Sequence, residues 1–96
     1  MIYELAFLDE ALKEWRKLGA TVREQFKARL AERLANPKIP AARLHGAGER
    51  YKIKLRNAGY RLVYEVRDRE LVVLVVAVGK RERGDVYARA ASRNTD

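Results

Sequence analysis

The sequence contains no cysteine, a single histidine (His45), two prolines, one tryptophan and one methionine. Without cysteine there is no disulfide framework and no thiolate metal site, and a reducing compartment is compatible with the composition. One histidine also removes most familiar metal constellations. No Ser-His-Asp set, phosphate-binding glycine loop or dinucleotide fingerprint is present. The longest apolar run, Leu71 to Val78, is far shorter than a membrane span. The first residues, Met1-Ile-Tyr-Glu-Leu-Ala-Phe, include an acidic residue and no basic region, so they do not read as a signal peptide. A cytoplasmic protein without membrane contact is expected.

What the chain has in excess is positive charge. It carries 21 Lys and Arg against 13 Asp and Glu, a formal net charge of +8. Residues 43–96 hold 13 basic and 7 acidic side chains, whereas residues 1–42 hold 8 and 6. This bias attracts polyanions, most commonly nucleic acid. The 96 residues suit a single domain spanning 1–96. A chain of this length buries roughly 60–70% of its unfolded surface, so its core is thin and awkward surface features ask for an explanation.

Ile2 to Phe7 reads as a strand. Asp9 occupies the position of a helix N-cap, and Leu12, Trp15 and Leu18 recur at helical spacing up to Gly19. Thr21 and Glu24 have the spacing of a capping box, followed by Val22, Phe26, Leu30 and Leu34 along one face of a second helix that stops at Asn36-Pro37. Residues 36–49 read as an irregular loop. Arg50–Arg56 and Tyr60–Val66 flank Asn57-Ala58-Gly59 as a hairpin. Leu71–Val78, apolar without alternation, predicts a central strand buried on both faces. A short helix over residues 84–93 follows, and Asn94-Thr95-Asp96 is expected to fray. The predicted fold class is α+β in the order β-α-α-β-β-β-α. It is a mostly antiparallel four-stranded sheet with a helical hairpin on one face and the other face partly open to solvent.

Alternation along the first hairpin strand sends Tyr51, Ile53 and Leu55 to one face and Arg50, Lys52, Lys54 and Arg56 to the other. The four cations are then spaced about 6.5–7 Å apart. Arg61 on the partner strand adds a fifth if it shares the face. Like charges so placed cost a few tenths of a kcal/mol to about 1 kcal/mol per pair, and a bound polyanion would remove that cost. An ordinary solvated face, or a basic edge that discourages aggregation, is the bland alternative. Beyond the central strand come Lys80, Arg81 and Arg83, then Tyr87 on the next helix, an arrangement suited to a phosphate contact beside a base-stacking platform. Tyr87 could equally be a packing residue. Cleavage of RNA by its own 2′-hydroxyl fits these groups without a cofactor or a metal. Cations stabilise the phosphorane, and a lysine among other cations loses its proton more readily and so becomes a usable base.

Four segments resemble the RelE toxins of bacterial toxin–antitoxin pairs, within the RelE/ParE superfamily. They are Asp9-Glu10-Ala-Leu-Lys-Glu-Trp-Arg-Lys-Leu-Gly19, Tyr51-Lys-Ile-Lys-Leu-Arg56, Gly59-Tyr-Arg-Leu-Val-Tyr64 and Val78-Gly-Lys-Arg-Glu-Arg83. The resemblance implies a microbial-ribonuclease-like fold and a metal-independent endoribonuclease (mRNA interferase) that cleaves mRNA in the ribosomal A site and so inhibits translation. It implies as partners the ribosome with its 30S A site and 16S rRNA, and a RelB-like antitoxin with which the toxin co-represses its operon, meeting operator DNA only through that complex. By matching position it implies Lys52 and Lys54 as active-site lysines, Arg61 as the transition-state clamp, Arg81 as general acid or phosphate clamp, and Tyr87 as the group that orients the nucleotide. RNA contacts are expected from Arg43, His45, Arg50, Arg56, Lys80 and Arg83. His45 departs from the arginine expected at that loop position. A ribosome-independent nuclease of the same fold, and a non-enzymatic inhibitor like the gyrase-directed ParE branch, are the competing readings.

Overall fold

In the computed structural model, which describes residues 2–46 and 48–95, the charged strand lies at one edge of a mixed sheet, its first residues bridged by Arg43 and Leu44. Met1, Ala47 and Asp96 lie outside the described residues. The elements run β1 (Glu4–Phe7), α1 (Asp9–Arg16), α2 (Ala20–Ala35), a 3-10 turn (Pro40–Ala42), β2 (Arg50–Leu55), β3 (Tyr60–Arg67), β4 (Val72–Lys80) and α3 (Asp85–Ser92). The spatial order is β1-β4-β3-β2. Neighbouring pairs β2–β3 and β3–β4 are antiparallel, and β1 adds to β4 in parallel. This agrees with the expected mostly antiparallel α+β fold and puts β4 in the interior.

Both helix starts differ in detail from the sequence reading. Asp9 is the first residue of α1, with Leu8 in the cap position, and α2 begins at Ala20 after Gly19. Neither cap makes a side-chain hydrogen bond, so Thr21 and Glu24 lie inside α2 and do not close a capping box. The tight α1–α2 turn explains the shift. Lys17 and Leu18 N–H groups bond back to Glu14 and Trp15 carbonyls, and Arg23 Nη1 donates to Leu18 O (3.1 Å), which occupies the turn before Thr21 is reached.

The main core lies between the helical hairpin and one sheet face. It contains Trp15, Phe26, Leu30, Tyr51, Ile53, Leu62 and Tyr64. Tyr51 and Tyr64 stack across β2 and β3 (5.7 Å between centroids). Tyr64 is fully buried and donates to Pro37 O (2.6 Å), while Arg33 donates to the Tyr64 hydroxyl and to Lys52 O on the outer edge of β2. The loop after α2 is therefore tied to the sheet. On the opposite face α3 covers Val63, Val76 and Ala77 with Val86 and Ala90. That face is closed at one end and open towards Lys54. Thr95, expected to fray, donates to the Glu65 carboxylate (2.8 Å) and its carbonyl accepts from Arg67 (2.7 Å).

Candidate functional site

Cross-strand register assembles the site. Lys54 lies opposite Arg61, and Arg61 opposite Gly79, so the three form one row across β2, β3 and β4 on the face away from the helical hairpin. Lys52 and Val63 form the next row. Gly59 closes the hairpin with φ of +72° and its carbonyl accepts from Arg81 N–H (2.7 Å), which fixes the chain just past β4 beside the β2–β3 turn. Arg83 (φ +48°) and Gly84 (φ +73°) then swing the chain into α3. The left-handed conformation at Arg83 is uncommon for a residue with a side chain, and it lies beside the site.

The result is a cleft of about 200 Å³ with Lys54 and Arg61 on the sheet side and Arg81 and Tyr87 on the other. Arg61 is only 6% exposed and its guanidinium donates to its neighbour's carbonyl, Tyr60 O (2.9 Å). A buried cation with no carboxylate partner among the described residues is costly unless an anion arrives. Lys54 titrates below the ordinary lysine value. The charge of Lys52 is the largest cause, followed by partial burial and the charges of Arg56, Arg61 and Arg81. Glu82 and Asp85 also line the cleft; sequence reading passed over them because it sought cations.

The other predicted residues are spread around this cleft. Lys52 lines a shallow hollow with Arg43 and His45, and also a groove of about 790 Å³ along the outer edge of β2. Lys54 and Arg56 share that groove with Arg29 and Arg33 of α2, two arginines about one helical turn apart. Lys54 is where the groove and the cleft meet. Lys80 pairs with Tyr60 in register and so belongs to the opposite sheet face from Lys54, while Arg83 is exposed at the rim. Arg43 is ion-paired with Glu49 (3.6 Å). Arg50 faces inward: its side chain is 11% exposed, bonded to Glu65 and to carbonyls at the end of α3. Among the described residues, no three His, Cys, Asp or Glu side chains converge.

The sequence profile of a protein family, the ParE toxin of type II toxin–antitoxin system (parDE), matches residues 5–84. This chain belongs to the RelE/ParE toxin family. A curated relative, the mRNA interferase toxin RelE of Escherichia coli strain K12, is 58% identical over 93 residues, 97% of this chain and 98% of that protein. An E. coli RelE toxin variant with two arginines replaced by alanine, solved in the free state, superposes with a TM-score of 0.91 at 55% identity, covering 99% of this chain and 100% of that one. The toxin of the intact E. coli RelBE toxin–antitoxin complex gives 0.81 at 59% identity, over 84% and 99% of the two chains. The RelE/ParE fold thus accounts for the whole sheet and its three helices.

Proposed function

We propose that this RelE/ParE toxin is a ribosome-dependent endoribonuclease, an mRNA interferase acting in the cytoplasm. It cleaves mRNA in the ribosomal A site and is neutralised by a RelB-like antitoxin with which it represses its own operon. The observation that carries the reading is the meeting of Lys54, Arg61, Arg81 and Tyr87 around one cleft. The 58% identity to an mRNA interferase and the RelBE complex of a 59% identical toxin support the substrate class and the partner. Among the described residues no helix is long and apolar enough to cross a membrane.

In this mechanism neutral Lys54 takes the proton of the 2′-hydroxyl, and its lowered proton affinity raises the neutral fraction. The 2′ oxygen forms a bond to phosphorus. Arg61, held by the sheet and already desolvated, meets the charge that grows on the phosphorane, where a fixed cation is worth most. Arg81 hydrogen-bonds the departing 5′ oxygen and gives up a proton as the P–O5′ bond breaks, because the departing alkoxide is a stronger base than guanidine. Products are a 2′,3′-cyclic phosphate and a 5′-hydroxyl. Tyr87 stacks on the nucleotide, and Lys52, Arg56 and Arg83 hold flanking phosphates, with Arg43, His45 and Lys80 at the periphery.

Mapping 5′ ends of a defined message with and without programmed ribosomes tests this. Cuts confined to the A-site codon on ribosomes are expected, and each should fall at least about a hundredfold in folded Arg81→Ala and Tyr87→Ala variants. Cuts on naked RNA would instead favour a ribosome-independent nuclease. No cuts in either condition would favour a ParE-like inhibitor.

A further inference from the structure

Tyr87 stands on a helix that cannot hold itself. At eight residues α3 is too short to persist alone. Its apolar anchorage is modest: Val86 and Ala90, buried against Val63, Val76 and Ala77, with partly buried Leu8, Leu44 and Tyr87 itself packed against this cluster. The rest of its attachment is polar, and one arm of it is Arg50. Nε of Arg50 bonds the Glu65 carboxylate opposite it on β3 (3.1 Å), Nη1 donates to Ala90 O (2.5 Å) and Nη2 to Arg93 O (2.9 Å). A planar guanidinium thereby caps the carbonyl end of the helix, where a cation is also favoured by the helix dipole.

A second arm grips the same helix from α1. Glu14 accepts from Arg89, from Arg93 (2.8 Å) and from the backbone N–H of Val78 (3.2 Å). Arg93 also donates to the carbonyl of Val76, at the register shift in the β3–β4 ladder. The Arg50 and Arg93 side chains are 11% and 12% exposed, so these pairs are more sheltered than the surface bridges elsewhere on the molecule.

Arg50 shares its strand and its face with Lys52 and Lys54. The strand that forms one wall of the cleft therefore also grips the helix that carries the other. We propose that Arg50 is a positioning residue, not an RNA contact: with Glu14 as the second arm, it holds α3 docked so that Tyr87 closes the cleft over Lys54 and Arg61. The inference rests on the nuclease reading for its kinetic consequence, but not for the docking itself.

Two readouts separate these. The first is hydrogen exchange of the intact protein. In Arg50→Gln the α3 amides should exchange about tenfold faster while the β3 and β4 amides keep their protection. The second is single-turnover cleavage on programmed ribosomes. Arg50→Gln should slow the chemical step about tenfold with half-saturation within about twofold of the parent, and Arg50→Lys should not rescue it, since an ammonium cannot span two carbonyls and a carboxylate. In a Tyr87→Ala background the same Arg50→Gln change should cost less than about twofold, because the group it positions is gone. Glu14→Gln should repeat the pattern more weakly. Unchanged α3 exchange, rescue by Arg50→Lys, or a full loss on top of Tyr87→Ala would overturn the proposal. A parent that cuts nothing would refute the nuclease reading while exchange still decided the docking.

Discussion

Salt dependence offers a quantitative test of the basic face, and Lys52→Gln is the informative perturbation. Six cations on or beside that face, Lys52, Lys54, Arg56, Arg61, Arg81 and Arg83, have no carboxylate within ion-pair distance among the described residues. Arg50 drops out because Glu65 already neutralises it. A single strand contacting all six should bind with a log–log salt slope of about −4, at roughly −0.7 per phosphate. Raising salt from about 50 to about 200 mM then weakens binding about 300-fold. Lys52→Gln removes one contact, so the slope should flatten by about 0.7 and the loss fall to about 130-fold. Lys27→Gln is the control: it lowers net charge equally, but Lys27 is paired with Glu24 on the exposed side of α2. Binding of a 2′-O-methyl oligoribonucleotide, which lacks the nucleophile, can be followed by fluorescence anisotropy across the salt series. Equal flattening by both variants would mean that overall charge, and not the face, governs affinity. A parent slope shallower than about −1.5 would refute the counting itself.

Three further outcomes are expected. If Lys54 is the base, the cleavage rate should climb with pH on a limb below the ordinary lysine range, and Lys52→Gln, by removing the largest cause of that displacement, should move the limb up; a limb that stays put would exclude Lys54 as the base. Glu14 titrates below its ordinary 4.5, because the Arg93 and Val78 hydrogen bonds and the Arg89 and Arg93 charges outweigh its burial. Its stabilisation is therefore complete above that pH and lost as pH falls through the lower folded value, so urea midpoints should drop more steeply in acid for the parent than for Glu14→Gln. Tyr64→Phe strips the donor from buried Pro37 O and should cost about 1–3 kcal/mol in urea unfolding while leaving the sheet intact; an unchanged midpoint would mean that water replaces the hydroxyl.

The parts of this molecule that were legible in the sequence are those governed by period. Alternation from Arg50 to Arg56 put Tyr51, Ile53 and Leu55 inside, and all three are buried. The unbroken apolar run identified the interior strand, although Leu71 belongs to the preceding turn with φ of +55° and the strand continues to Lys80. What escaped depends on partners distant in sequence. Arg50 looks identical to Lys52 along the strand, and only Glu65 across the ladder and carbonyls some 40 residues away turn it inward. Lys80 and Arg81 are adjacent in sequence, yet register sends Lys80 to the far face. The burial of Arg61 likewise follows from the α3 segment folding over it, which no local pattern announces.

The parallel pairing of β1 with β4 also sets a timetable. Glu4 meets Val72 and Phe7 meets Val75, so the first strand made waits for the last. At about 5–20 residues per second, that wait is roughly 3–14 seconds on the ribosome. Until then the amino-terminal strand has no partner, and such distant pairings fold slowly. Arg81 and Tyr87 are synthesised later still. A nascent chain therefore presents its lysines before it owns a second cleft wall, and the cleft is complete only once α3 has been made.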